Sequence, residues 1–136
     1  MIGVIFGERG AGKTKRIIKL ANDTLATAKG SLAFIDDANQ YMFDLKNAIR
    51  FIDASEYHID SPKMFFGFIS GIAAQDFDLE YLFIDGFLKI ARHSLDTLEE
   101  LFAEMDAFSK RCNIKIYVSI TGSEADAPEF LKPYII

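Results

Sequence analysis

The chain has 136 residues, half of them apolar and thirteen of them Phe, which is material for one hydrophobic core and a single domain over residues 1–136. No apolar stretch reaches the roughly 18 residues of a membrane span. The opening run is too short and uncharged for a signal peptide, and the lone Cys112 excludes an internal disulfide framework, so a cytoplasmic protein is expected. The net charge of −5, with no basic stripe, does not support nucleic-acid binding; only Lys13, Lys15, Arg16 and Lys19 gather at one place.

In chain order, Ile2 to Phe6 reads as a buried strand running straight into Gly7-Glu-Arg-Gly-Ala-Gly-Lys-Thr14. Residues 13–29 read as a helix, with Ile17, Leu20, Ala21, Thr24, Leu25 and Ala28 on one face and Gly30 as its stop. Leu32 to Ile35 reads as a second strand, closing on Asp36-Asp37. A short helix around 40–47 and a short strand from Ile49 to Ile52 are expected next. Ser61 as N-cap and Pro62 at the first helical position open a helix through "KMFFGFISGIAA". Its Met64, Phe65, Phe66 and Phe68 cannot all face one side, which hints at burial against another subunit. "EYLFID" is a strand ending in Asp85. A helix over about 96–111 carries the stripe Leu98, Leu101, Phe102, Met105 and Phe108, with Asp96 and Glu99 as a capping-box-like start. "IKIYVSI" is a further strand, and the tail "PEFLKPYII" is a candidate edge strand. Repeats, low-complexity tracts and linkers are not evident.

Alternating strands and helices predict an α/β fold: three layers, α/β/α, around a mostly parallel sheet of about five strands. Ligands of such sheets bind beyond the carboxyl ends of the strands, where Gly7, Asp36, Asp85 and Thr121 all fall.

The segment Gly7, Glu8, Arg9, Gly10, Ala11, Gly12, Lys13, Thr14 satisfies G-x-x-x-x-G-K-[ST] between a strand and a helix. Glycines let backbone N–H groups turn inward around a polyphosphate, and the helix that follows, from Lys13 through Lys15, offers free amides and the positive end of its dipole. Lys13 is placed to reach the β- and γ-phosphates, and Thr14 to offer its hydroxyl to Mg²⁺. Asp85 is the matching carboxylate for the ion. Gly86 stands where many hydrolysing P-loop proteins have a Glu that orients water, which leaves Asp36 or Asp37 for that role. Ser119 and Thr121 are further candidates for γ-phosphate contact. The expected ligands are therefore ATP and Mg²⁺.

"LAFIDDANQ", "YLFIDGFLKI" and the helix leading into "IKIYVSITGS" resemble the nucleotide-binding core of RecA-like ATPases over residues 2 to about 122. The resemblance implies a phosphate-loop strand near the middle of the sheet, ATP with Mg²⁺, and a site often completed by a homo-oligomer or protein partner. Lys13, Thr14 and Asp85 match by position. The family's Glu two residues past the second-strand Asp is Ala38 here, and its phosphate-sensing Gln is replaced by Ile120 or Thr121. A GTPase signature, an extra Lys early in the loop, a lid with paired arginines and a His/Cys metal site are not found. An ATP-binding protein with slow or partner-dependent hydrolysis follows; a non-hydrolysing switch is the alternative, and a small-molecule kinase has less support.

Overall fold

A computed structural model describes residues 1–136. Five strands are present: β1 (Ile2–Gly7), β2 (Ser31–Asp36), β3 (Arg50–Asp53), β4 (Leu79–Ile84) and β5 (Lys115–Thr121). Four helices connect them: α1 (Lys13–Leu25), α2 (Pro62–Gln75), α3 (Phe87–Ala91) and α4 (Glu99–Cys112). The sheet runs β1-β5-β4-β2-β3, and every pairing is parallel.

Period-two alternation sends neighbouring residues of each strand to opposite faces. Ala33, Ile35, Leu82, Ile84, Ile116 and Val118 join the larger core, packed beneath α2, α3 and α4. Leu32, Phe34, Phe83 and Ile5 face the other way, onto Ile17, Ile18 and Ala21 of α1. Each face of the sheet is therefore covered, which is what strands apolar on both sides require.

The α1 face carries a row of aromatic side chains at one level. Phe51, Phe34, Phe83 and Tyr117 are consecutive register partners across β3, β2, β4 and β5. Their rings stack at 6.4, 6.3 and 5.5 Å between centroids. The row ends at Gly3 of β1, where a Cβ would come within 2.8 Å of the Tyr117 ring.

Several boundaries differ from the periodicity. Helix α1 stops at Leu25, because the Thr24 hydroxyl donates to the Leu20 carbonyl and the next amides reach back only three residues. Gly30 is not its stop; it lies against the Asp78 carbonyl where β2 begins. The expected helix at 40–47 is a single 3₁₀ turn, Met42–Asp44, held by Asn22, whose amide donates to the Asp44 carbonyl and whose oxygen accepts from the Lys46 N–H. Helix α3 had no counterpart in the periodicity, being only 5 residues long. Helix α4 starts at Glu99; Leu98, fully buried, takes the N-cap position, and Asp96 lies in a preceding 3₁₀ turn without capping it.

Two corrections concern β1. The phosphate-loop strand is not near the middle of the sheet but at its edge, beside β5. The tail is not a further strand: Lys132–Tyr134 forms a 3₁₀ turn, and only Ile135 bridges Val4. Pro133 sets that turn and has no N–H to give a ladder. In α2, Phe65 is buried and Phe66 and Phe68 pack on the same core, so only Met64 of that aromatic run remains exposed. The chain's own core accounts for most of the run.

Phe83 is central in the aromatic row and fully buried. Phe83→Ala is expected to cost roughly 3–5 kcal/mol, as for other buried Phe truncations. Urea unfolding measures it; a loss below about 1 kcal/mol would mean that the row does not contribute as a packed unit.

Candidate functional site

Two residues beyond the aromatic row, on the same face, the side chains become polar. Phe51-Ile-Asp53, Phe34-Ile-Asp36, Phe83-Ile-Asp85 and Tyr117-Val-Ser119 run to one level near the carboxyl ends of their strands. The tripeptide Phe-Ile-Asp thus occurs three times in the sequence. That recurrence is the signal by which Asp53, absent from the candidates above, could have been found. Asp53 is committed locally, accepting from the Ser55 N–H and hydroxyl.

Asp85 forms the centre of the polar row. It is 5% exposed. One carboxylate oxygen accepts the Thr14 hydroxyl at 2.8 Å, and the other accepts the Ser119 hydroxyl. Ser119 in turn accepts the Gly86 N–H at 3.0 Å. Three segments far apart in sequence are thereby locked together at the start of α1.

The loop before α1 uses two left-handed glycines, Gly10 (φ 83°) and Gly12 (φ 85°), a region that side chains rarely enter. Gly12 is the N-cap and supplies no capping side chain. The first turn of α1 contains no acid, while Lys13, Lys15 and Arg16 crowd its positive end. Cations at a helix N-terminus are unfavourable unless an anion joins them. The Lys13 ammonium donates to the Glu8 carbonyl at 2.8 Å, folded back onto the loop.

A cleft of about 1020 Å³ lies above these groups. Arg9, Gly10, Gly12, Lys13, Thr14 and Lys15 line it from one side. Asp36, Asp37, Asp85, Ser119 and Thr121 line it from the strand ends. The structure thus brings together all the candidate catalytic and metal residues. Gly7, Glu8 and Ala11 shape the loop without forming its wall.

The two acids after β2 differ. Asp36 is 3% exposed, and burial first, then its neighbours Asp37 and Asp85, push its pKa from 3.8 up to about 8. It holds its proton at neutral pH, and one of its oxygens accepts the Asp37 N–H at 2.7 Å. The Asp37 side chain is 31% exposed and meets the Lys89 ammonium at 3.8 Å. It also lies over Gly86, where a Cβ would come within 2.9 Å of a carboxylate oxygen. Gly86 has φ 70° as well, so no Glu fits there without moving Asp37 and straining the backbone.

No cluster of three or more acidic, His or Cys ligands is present. The donor set of Thr14 and Asp85 suits a small hard cation that keeps waters and phosphate oxygens as its remaining ligands, which is the habit of Mg²⁺. No helix is long and apolar enough to cross a membrane.

No family model matches the chain. A search of curated proteins gave no match. Among solved structures, the chain is similar to the flagellar accessory protein FlaH from Methanocaldococcus jannaschii, with a TM-score of 0.56 and 15% sequence identity. The likeness covers 97% of this chain and 65% of FlaH, so the chain spans just under two thirds of that protein's length. At this identity the likeness is one of fold alone: an α/β fold with a parallel sheet covered by helices.

Between pH 4 and 8 the folded state keeps the Asp36 proton that the unfolded chain has lost, so stability falls as pH rises through that window. Without Mg²⁺ or nucleotide, lowering the pH from 8 to 6 is expected to stabilise the wild type by roughly 1–2 kcal/mol more than Asp36→Asn. Parallel thermal melts of the two proteins would show this, and identical pH profiles would contradict it. Gly86→Ala should lose about 1–3 kcal/mol in the same melts, through left-handed strain and the Asp37 contact.

Proposed function

We propose that the chain binds ATP with Mg²⁺ and hydrolyses it slowly alone, or faster with a partner. The carrying observation is the 2.8 Å bond from Thr14 to Asp85, made beside a loop whose glycines and unoffset cations suit a polyphosphate. In this reading the loop amides and Lys13 hold and stabilise the phosphoryl charge. Thr14 and Asp85 would hold Mg²⁺, which would supply positive charge against the phosphoryl group.

Asp37 would position the attacking water. It is the partly exposed acid of the two after β2 and meets the Lys89 ammonium at 3.8 Å, whereas Asp36 is buried and protonated at neutral pH. Its position over Gly86 puts a carboxylate beside the residue where other P-loop proteins carry a Glu. Arg9 is the only arginine in the cleft wall. A further arginine from a second copy or a protein partner would raise the rate by about 10³–10⁵. Phe43, 90% exposed between the cleft-lining Tyr41 and Asp44, supports such a contact at the rim. A cytoplasmic setting fits this chemistry.

A second reading, a switch that binds without hydrolysis, draws on Ala38 and Gly86, neither of which offers a carboxylate. Calorimetry with Mg·ATP decides the binding step: the wild type should bind, and Lys13→Ala at least tenfold more weakly. Absence of binding by both would sink the proposal. Phosphate release at high protein concentration then separates hydrolysis from switching. Asp37→Asn should lose at least tenfold in turnover with nucleotide affinity retained, and turnover unchanged in that variant would remove Asp37 from the mechanism.

A further inference from the structure

A second hollow, of about 230 Å³, opens beside the cleft. It lies between the 3₁₀ turn Ala54–Tyr57 that follows β3 and the end of α3. Asp37 and Lys89 belong to the walls of both cavities. Its floor is apolar and buried, formed by Ala54, Ile59 and Ile90. Around the rim stand three basic side chains, Lys89, His58 and Arg92, against one acid, Asp37.

Two of the basic residues occupy unfavourable backbone positions. His58 has φ 53° and Arg92 has φ 59°, and only one other non-Gly residue of the chain, Asn113, enters the left-handed region. Both end a helical segment, where Gly serves without steric cost and Asn is tolerated. Keeping a large side chain rich in N–H donors at each, around one hollow, marks the side chains as the reason for the strain. No acid pairs with Arg92, and the contact of Lys89 with Asp37 is a loose 3.8 Å. The positive charge of a concave site is therefore left largely uncompensated, and the Arg92 guanidinium presents the planar fork that matches an oxyanion.

We propose that this hollow is an oxyanion subsite that takes a phosphate or phosphate-ester group. Arg92 and Lys89 bind its charge, and His58 adds a donor. The Ser55 hydroxyl contributes none, being engaged with Asp53. The anion competes with Asp37 for the Lys89 ammonium, so filling the subsite releases Asp37 toward the cleft. The group has two possible sources: phosphate freed from a nucleotide in the cleft, or the phosphate of a separate small molecule. The subsite does not rest on the nucleotide reading, because its walls need no occupant in the phosphate loop.

The test is NMR titration of the wild type saturated with Mg·ADP, and of the Lys13→Ala protein left free, using inorganic phosphate in one arm and methyl phosphate in the other. Shifts should appear at the Arg92 side chain and the His58 ring in either background. Tighter phosphate binding identifies the freed ion as the source, and tighter methyl phosphate binding identifies an ester. Arg92→Gly should weaken both at least tenfold while its melting temperature stays equal or rises, since Gly accepts the left-handed position. Lys89→Ala, at an exposed position, should weaken both at least fivefold. Shifts confined to residues 7–15, or affinities of both variants within twofold of the parent, would overturn the subsite. Failure of Mg·ATP to bind the wild type would remove the ATP proposal and leave the subsite standing.

Discussion

The parallel register that joins β3, β2, β4 and β5 sets both the core and the cleft. Because the four strands share one level and side chains alternate, Phe51, Phe34, Phe83 and Tyr117 meet as a stacked row. The same register carries Asp53, Asp36, Asp85 and Ser119 to one level two residues on. A slip of one residue in any strand would turn its ring away from α1 and its polar residue away from the cleft. Packing energy thus holds the polar groups in line at a place where they would otherwise repel.

That repulsion has consequences. Asp36 and Asp85 are both buried on neighbouring strands, and the strain is relieved unequally. Asp85 receives two hydroxyl donors, from Thr14 and Ser119. Asp36 receives a single backbone N–H and keeps its proton. Two chemically identical carboxyls on neighbouring strands thus meet different donors, and Asp37, the next residue after Asp36, is partly exposed instead.

Gly86 shows how the strand end determines the chemistry available. Its left-handed φ turns the chain from β4 into α3, and its missing Cβ makes room for Asp37. A carboxylate from β2 therefore approaches β4 from the side. The same turn sends Lys89 and Arg92 of the short helix toward Asp37 and the second hollow. Short elements, a helix of five residues and a 3₁₀ turn, thus add Lys89 and Asp44 to the cleft wall that the loop and strand ends begin.

The sequence by itself determined the layer architecture, the five strands and the phosphate-loop geometry. These depend on local patterns: two-residue and helical periodicity, and glycines followed by Lys13-Thr14. Asp85 and Asp36 were legible for the same reason, as polar ends of apolar strands. Only the tertiary structure decided the order of strands, with β1 at the edge, since periodicity says which residues are buried and not which strand is the neighbour. It likewise decided that Asp36 is protonated, that Asp37 occupies the space above Gly86, and that His58 and Arg92 share a hollow. Each of these depends on distances between segments remote in the chain, and a one-dimensional pattern does not carry them.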